Sequence, residues 1–144
     1  MNNIITEIEL KYNPVTGKEK RVKITCPDSA YKAFLDSWNM DTIELYEEFK
    51  IILLNRANEV LGIYNLSKGG ISGTIVDLKL LFAVVLKSAA SGIILAHNHP
   101  SGNLTASEAD KRLHEKIKRV AKYLDIQVLD NLILCKDKFY SINA

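Results

Sequence analysis

Two histidines separated by one residue, His97 and His99, have the types and spacing best suited to metal chemistry in this chain. The segment before them, Ser91 to Ala96, runs from small to apolar residues, which predicts a buried strand. Side chains two apart on a strand share a face, so both imidazoles should aim at one point. Pro100 cannot donate to a sheet ladder and should end the strand. The sequence therefore predicts a pair of imidazole ligands at a strand end.

A third ligand is expected from the helix that follows. Thr105 and Glu108 have capping-box spacing, which predicts a helix with Thr105 as its N-cap. Ser107 and Asp110 would then share one face of the first turn, where the end of the strand could meet them. Two imidazoles and one carboxylate suit zinc with a fourth position left open. This set indicates a catalytic rather than a structural metal site, that is, a mononuclear zinc hydrolase.

The segment from His97 to Asp110 resembles the signature of JAMM (MPN-type) metallopeptidases, H-x-H-P-x6-S-x2-D, since it reads H-N-H-P-S-G-N-L-T-A-S-E-A-D. More narrowly, it is similar to the RadC-like branch, which begins H-N-H-P-S-G. The similarity extends from about Thr42 to the C-terminus. It implies a cytidine-deaminase-like three-layer fold and a Zn²⁺ ion held by His97, His99 and Asp110. It also implies that Ser107 hydrogen-bonds the tetrahedral oxyanion.

JAMM sites also use a glutamate from an earlier strand, and Glu44, Glu47 and Glu48 are the candidates here. In RadC-like sequences the glutamate stands two residues before the phenylalanine that opens the strand, which matches Glu47 before Phe49. The resemblance implies that Glu47 takes the proton of the attacking water and returns it to the leaving amine. Glu48 is the alternative, and strand alternation would send it to the opposite face.

Two positions near the motif bear on how active such a site would be. RadC-like sequences usually read Asp-His where this chain reads Asp130-Asn131, so a second contact or proton relay from that histidine is expected to be weaker. His114 lies four residues after Asp110, on the same helix face, where it could bond that carboxylate or compete as a ligand. A partly exposed surface histidine is the role we expect for His114.

The order of predicted elements favours an α/β (α+β) fold with a mixed β-sheet flanked by helices. A helix capped by Asp28 or Ser29 is expected to run through Trp38, and another should follow Asp77 as its N-cap. Strands are predicted at 49–55, 60–66, 71–75, 93–99, 127–129, 132–135 and 139–142.

The N-terminal part of the chain has a different pattern. Residues 4–12 and 22–25 alternate around turn residues at 13–17, which predicts a β-hairpin. We therefore divide the chain into a hairpin and helix extension at 1–40 and a RadC-like JAB/MPN domain at 41–144.

Composition is consistent with one hydrophobic core and excludes few functions. The chain has 144 residues, 47% of them hydrophobic, and a net charge of +2, which does not indicate a nucleic-acid partner. The helix-hairpin-helix region that usually precedes RadC domains has no match here, which weakens a direct DNA role. Two separated cysteines predict no disulfide framework. No signal peptide or membrane span is expected, so the cytoplasm is the predicted compartment.

The residues favour a peptidase acting on a protein or peptide over several other functions. Consecutive H-N-H letters do not match the dispersed residues of the nucleases of that name, and a zinc deaminase would need a P-C-x-x-C pair that is absent. One alternative is a non-catalytic module that binds an extended peptide at a sheet edge near Ser72–Thr74. Another is phosphodiester hydrolysis, suggested by basic residues that are also explained by a solvated helix face: Lys111, Arg112, Lys116, Lys118, Arg119 and Lys122. The oligomeric state is not indicated.

Overall fold

A mixed five-stranded sheet forms the centre of the protein. The computed structural model describes residues 3–9, 11, 13, 17, 20–69 and 75–143. Within them the strands are β1 (Glu48–Leu54), β2 (Val60–Lys68), β3 (Gly92–Asn98), β4 (Gln127–Leu134) and β5 (Phe139–Ser141). Their order is β2-β1-β3-β4-β5, with β3 and β4 parallel and the other neighbours antiparallel. The predicted mixed sheet is confirmed.

Helices cover both faces of the sheet. They are α1 (Pro27–Ser37), α2 (Leu78–Lys87) and α3 (Glu108–Tyr123). α1 packs on one face, where its Phe34 joins Ile52, Ile94 and Leu132 in a buried cluster. α2 and α3 pack on the other face, in a cluster that includes Phe49, Ile51, Leu81, Val85, Leu95 and Ile117. The predicted three-layer arrangement is confirmed. Among the described residues, no helix combines the length and hydropathy needed to cross a bilayer.

The two central strands, β1 and β3, are buried along their whole length. Strands covered on both faces read as continuous apolar runs, which is why these two were predicted to within one residue. Polar residues within them occur where the sheet meets the metal-ligand motif, namely Glu48, Lys50, His97 and Asn98.

Helix α3 begins two residues later than the sequence suggested. The prediction of Thr105 as N-cap is wrong: Ser107 is the N-cap, and its Oγ accepts a hydrogen bond from Asp110 N at 3.0 Å. Asp110 Oδ2 in turn accepts from Ser107 N at 2.9 Å, which completes a capping box. The Thr105 backbone N–H is already used by Asn103 Oδ1 at 2.9 Å, so Thr105 belongs to the preceding turn. The cap predicted for α2, Asp77, is confirmed.

The predicted N-terminal hairpin is not formed by the described residues. Residues 3–9 contain no strand, and Lys23 instead forms an isolated bridge with Glu59 in the turn between β1 and β2. The apolar side chains of this segment do not pack against the sheet: Ile4, Ile5 and Ile8 are at least 85% exposed. A hairpin that packs against nothing is only marginally stable in water. The hairpin turn at 14–16 lies outside the described residues.

The first helix and two of the predicted strand regions differ in detail from the sequence prediction. The N-terminal helix is confirmed by α1, but its predicted cap is wrong: Cys26 is the N-cap, and Ser29 lies at N3, where its Oγ accepts from Cys26 N at 3.1 Å. The two pieces predicted at 127–129 and 132–135 form one strand, β4. Of the strand predicted at 71–75, residues 71–74 and with them the proposed edge at Ser72–Thr74 lie outside the described residues, and Ile75 is not in a strand. The division at residue 40 stays a prediction.

Candidate metal centre

The end of β3 brings the two predicted imidazoles together. His97 is the penultimate residue of β3, and His99 continues the sheet geometry because its N–H donates to Leu134 O at 3.1 Å. The two Nε2 atoms lie 3.0 Å apart. The ring of Phe49, which faces His97 across the β1–β3 ladder, lies parallel to the His97 ring at 5.9 Å between centroids. Both imidazoles therefore present Nε2 to the same point.

The carboxylate of Asp110 reaches this point from the first turn of α3. Its Oδ2 lies 3.4 Å from His97 Nε2 and 3.3 Å from His99 Nε2. The capping-box hydrogen bond from Ser107 N to the same Oδ2 holds the side chain in this position. The strand end and the helix start meet as the spacing of the motif predicts.

Glu47 approaches the same point from the start of β1. Its Oε1 lies 3.7 Å from His99 Nε2. Glu47, His97 and His99 could hold a metal ion, since their ligand atoms all lie within 4.8 Å of one another. Glu48 lies on the opposite face, where its Oε1 accepts from Asn65 Nδ2 at 3.2 Å. Of the two neighbouring glutamates, the structure brings Glu47 to the histidines.

The charges of the metal-free site depend on these contacts. The hydrogen bond with Asp110 is the main factor that raises the pKa of His99 above its ordinary value, against the opposing effect of burial. Burial works against the ionised form of Asp110, but hydrogen bonds with His97 and His99 outweigh it and hold the pKa of this carboxyl well below its usual range. Without a metal, these contacts favour the protonated form of His99 and the ionised form of Asp110.

These pKa shifts give the metal-free protein a defined pH dependence. The raised pKa of His99 means a stabilising contribution that is complete below pH 6.5 and is lost as the pH rises through the folded-state pKa. The lowered pKa of Asp110 means a contribution that is present above pH 3.8 and is lost in more acidic solution. In chelator-treated protein, Asp110→Asn should therefore cost more unfolding free energy at about pH 5 than at about pH 8.

Denaturant unfolding at the two pH values measures this difference. Glu108→Gln is the matched control, because it removes a carboxylate from the same helical turn but its side chain is exposed and pairs with Lys111. Its cost should be small and similar at both pH values. An equal cost for Asp110→Asn at both would contradict the coupling between Asp110 and His99.

Asn98, to which the sequence analysis assigned no role, holds the segment that carries Glu47. Its side chain is fully buried on the opposite face from the histidines. Asn98 Oδ1 accepts from Glu48 N at 2.7 Å, and Nδ2 donates to Tyr46 O at 2.8 Å and to Ile43 O at 2.7 Å. One amide thus fastens the backbone on both sides of Glu47. The sequence carries no signal for this role beyond a polar residue in a buried strand.

Replacing Asn98 with leucine should destabilise the protein by about 2–5 kcal/mol, because two buried backbone groups and one partly buried backbone group would lose their partner. The change in unfolding free energy is measured with denaturant. Asn65→Leu is the control, since Asn65 is exposed and its side-chain amide donates to the Glu48 carboxylate instead of to the backbone of this segment. It should cost about 0.5–1.5 kcal/mol, because it removes one partly buried hydrogen bond. Similar losses of stability in the two variants would argue against the role of the Asn98 amide in holding the segment that carries Glu47.

His114 is not the surface residue that we expected. It is only 5% exposed, because it lies on the inward face of α3 with Ile117 and Ala121. That helix face is set by the packing of α3 on the sheet, which the charged residues around His114 concealed in the sequence. Its Nδ1 lies 3.1 Å from Asn131 Nδ2, so the polar partner of His114 is the amide at the position where RadC-like sequences usually have histidine.

The site opens into a cavity of about 40 Å³ lined by Glu47, Phe49, Val76, His97, Asp110, Leu113 and Asn131. A larger cavity of about 340 Å³ lies at the other end of β1 and β3, beside Asn55 and Gly92. The larger one contains no histidine or cysteine, so its chemistry does not suit a transition metal. The small cavity is the one whose lining includes side chains that can bind a transition metal, namely Glu47, His97 and Asp110.

Comparison with known proteins identifies similar sequences. A sequence model of the RadC-like JAB domain matches residues 24–144. A UPF0758 protein of Flavobacterium johnsoniae is 50% identical over 96 residues, which cover 67% of this chain and 42% of that protein. UPF0758 proteins of Alkaliphilus metalliredigens and Clostridium beijerinckii are 33% and 30% identical over 98% and 96% of this chain, and 60% and 59% of theirs. The chain spans about half the length of the curated relatives it matches.

Proposed function

Because the chain belongs to the RadC-like JAB domain family, we propose that it is a zinc-dependent hydrolase of peptide or isopeptide bonds. The observation that carries the proposal is that Glu47, just before β1, and Asp110, in the first turn of α3, each place a carboxylate oxygen within 3.7 Å of His99 Nε2. His99 Nε2 itself lies 3.0 Å from His97 Nε2. A cluster of partly buried carboxylates and imidazoles is characteristic of functional sites. The substrate we propose is a protein or peptide, and the compartment is the cytoplasm.

The donor distances support a tetrahedral zinc site. Four ligand atoms at about 2.0–2.2 Å from a tetrahedral zinc ion would lie about 3.3–3.6 Å from one another. His97 Nε2, His99 Nε2 and Asp110 Oδ2 are separated by 3.0, 3.3 and 3.4 Å. Glu47 Oε1 is farther, at 3.7 Å from His99 Nε2, which suits a residue that contacts the attacking water rather than the ion. We therefore assign His97, His99 and Asp110 as ligands and keep Glu47 for proton transfer.

The tautomer of His99 also supports this assignment. His99 Nδ1 lies 2.6 Å from the carbonyl oxygen of Asn103, an acceptor, so Nδ1 must carry the hydrogen. The lone pair is then on Nε2, which faces Asp110 and His97. A backbone carbonyl that orients the far nitrogen of a ligand imidazole is a common feature of zinc sites.

The remaining residues have defined tasks in the proposed reaction. Bound zinc supplies Lewis-acid activation of a water molecule and polarisation of the scissile carbonyl. Glu47 accepts the proton of that water and then donates it to the leaving amine. The Ser107 hydroxyl accepts from Asp110 N, and a hydroxyl that accepts can still donate its own hydrogen, here to the oxyanion.

The test of this proposal begins with metal content. Protein purified without a metal-affinity tag is incubated with Zn²⁺, dialysed and analysed by elemental mass spectrometry. The zinc-loaded protein is then incubated with peptides and with isopeptide-linked lysine substrates, and newly released amines are quantified. We expect about one zinc per chain and hydrolysis that chelation removes. Protein that binds no zinc would overturn the assignment and favour a non-catalytic peptide-binding module.

A further inference from the structure

Two buried polar atoms next to the histidine pair find no hydrogen-bond partner among the described residues. They are Nδ1 of His97 and Oδ1 of Asn131. His97 is 5% exposed and Asn131 is 9% exposed, so bulk water does not compensate for the missing bonds. Each such group costs about 1–3 kcal/mol when it is left unpaired. Two complementary groups of this kind in one place indicate a common partner.

The two side chains share a face and a cavity. β3 and β4 are parallel, with Leu95 beside Asn131 and His97 beside Ile133, so His97 and Asn131 are diagonal neighbours under α3. Both line the cavity of about 40 Å³ and an adjoining one of about 20 Å³. A buried water needs roughly 10–15 Å³ and two or more polar partners. Each of the two cavities that both side chains line is therefore large enough for one water molecule.

The directions of the hydrogen bonds also agree. An amide NH2 group can only donate, so His114 Nδ1, 3.1 Å from Asn131 Nδ2, must be an acceptor. Burial, assisted by nearby Lys118, lowers the pKa of His114 and so favours the neutral ring that this requires. Asn131 Nδ2 donates to that Nδ1 at 3.1 Å, which leaves Asn131 Oδ1 as the acceptor that faces the cavity. A histidine that binds metal through Nε2 carries its hydrogen on Nδ1 and needs an acceptor there. His99 has one in Asn103 O, whereas His97 has none in direct contact.

We propose that Asn131 is the positioning residue of His97 and acts through one buried water. The water accepts the Nδ1 hydrogen of His97 and donates to Asn131 Oδ1. His114 in turn holds the Asn131 amide in the orientation that presents this oxygen. The chain from His114 through Asn131 and the water keeps the His97 lone pair on Nε2, directed at Asp110 and His99. This role rests on the proposed zinc site, because it concerns the orientation of one of the three assigned ligands.

Zn²⁺ affinity and ring tautomer together test the proposal. Affinity is measured by competition with a chromogenic chelator in wild type, Asn131→Leu, which has no acceptor, and Asn131→Asp, which retains one. We expect at least about tenfold weaker binding for Asn131→Leu and a change within about threefold for Asn131→Asp. Nitrogen NMR of the imidazoles in metal-free protein should show His97 with its hydrogen on Nδ1 in wild type and largely on Nε2 in Asn131→Leu.

Leu113→Met is the matched control, since Leu113 lines the same cavity and this change conserves volume without adding or removing an acceptor. It should leave both measurements unchanged. If Asn131→Leu does not fold, the smaller Asn131→Val gives the same comparison. Unchanged zinc affinity and an unchanged His97 tautomer in the apolar variant would overturn the role of Asn131. Wild-type protein that binds no zinc but shows the tautomer change would overturn the proposed function and support the positioning of His97.

Discussion

Replacing Asp110 with alanine is expected to reduce the zinc content from about one ion per chain to almost none. Asp110 Oδ2 lies 3.3 and 3.4 Å from the two Nε2 atoms and supplies the only negative charge among the three ligands we assign. Two neutral imidazoles alone hold zinc weakly, because the ion then retains most of its water. Elemental mass spectrometry after dialysis against zinc-free buffer measures the loss.

The alanine variant also removes a helix cap, so a second variant separates the two effects. Asp110→Asn keeps an oxygen that can accept from Ser107 N, but its neutral amide is a poor zinc ligand. We expect Asp110→Asn to lose zinc as well, with less loss of stability than the alanine variant. Glu108→Gln, an exposed change in the same turn, should retain zinc. A full complement of zinc in Asp110→Asn would remove Asp110 from the ligand set.

Replacing Glu47 with glutamine should abolish hydrolysis while zinc remains bound. Glutamine has nearly the same shape as glutamate but cannot accept the proton of the attacking water. General base catalysis of this kind contributes about 10²–10⁴-fold to the rate. Glu47 lies 3.7 Å from His99 Nε2, farther than Asp110, so the metal ligands should remain intact. Zinc content and the rate of amine release are measured on the same sample.

Glu48→Gln is the natural control for this prediction. The two glutamates are adjacent, but the Glu48 carboxylate lies on the opposite face of the sheet and accepts a hydrogen bond from Asn65 Nδ2. The side-chain oxygen of glutamine can accept the same hydrogen bond. We expect Glu48→Gln to keep both zinc and hydrolysis. Activity that survived in Glu47→Gln and disappeared in Glu48→Gln would reverse the assignment of the base. Loss of zinc in Glu47→Gln would instead make Glu47 a ligand.

The strands and helices that carry the site could be predicted because their signals are local. β1 and β3 are continuous apolar runs, and α3 has a capping residue followed by a regular apolar stripe. The predictions were wrong where two local signals competed or where burial was absent. Thr105 and Ser107 both have a suitable residue three positions later, and a turn at Asn103 decided between them. The apolar N-terminal residues alternate but have no sheet to cover them.

Within the site, the ease of prediction follows the distance along the chain. His97, His99 and Asp110 lie within one short segment, and the periods of strand and helix are enough to aim them at one point. Glu47 comes from 50 residues upstream, so only its place in a resembling motif favoured it over Glu48. Asn98, His114 and Asn131 acquire their roles from hydrogen bonds that join distant segments. No local pattern distinguishes them from ordinary polar residues.

The sequence by itself determined the layered α/β architecture, the positions of the central strands and the segment that offers metal ligands. These features depend on the spacing of apolar residues and on helix caps, which can be recognised within short segments of the sequence. Only the tertiary structure decided that Glu47 rather than Glu48 faces the histidines, that Asn98 fastens the segment beside it, and that His114 is buried against Asn131. Those outcomes depend on which distant groups can pair once water is excluded, and that is settled by the packing of α3 and β1 against the same sheet.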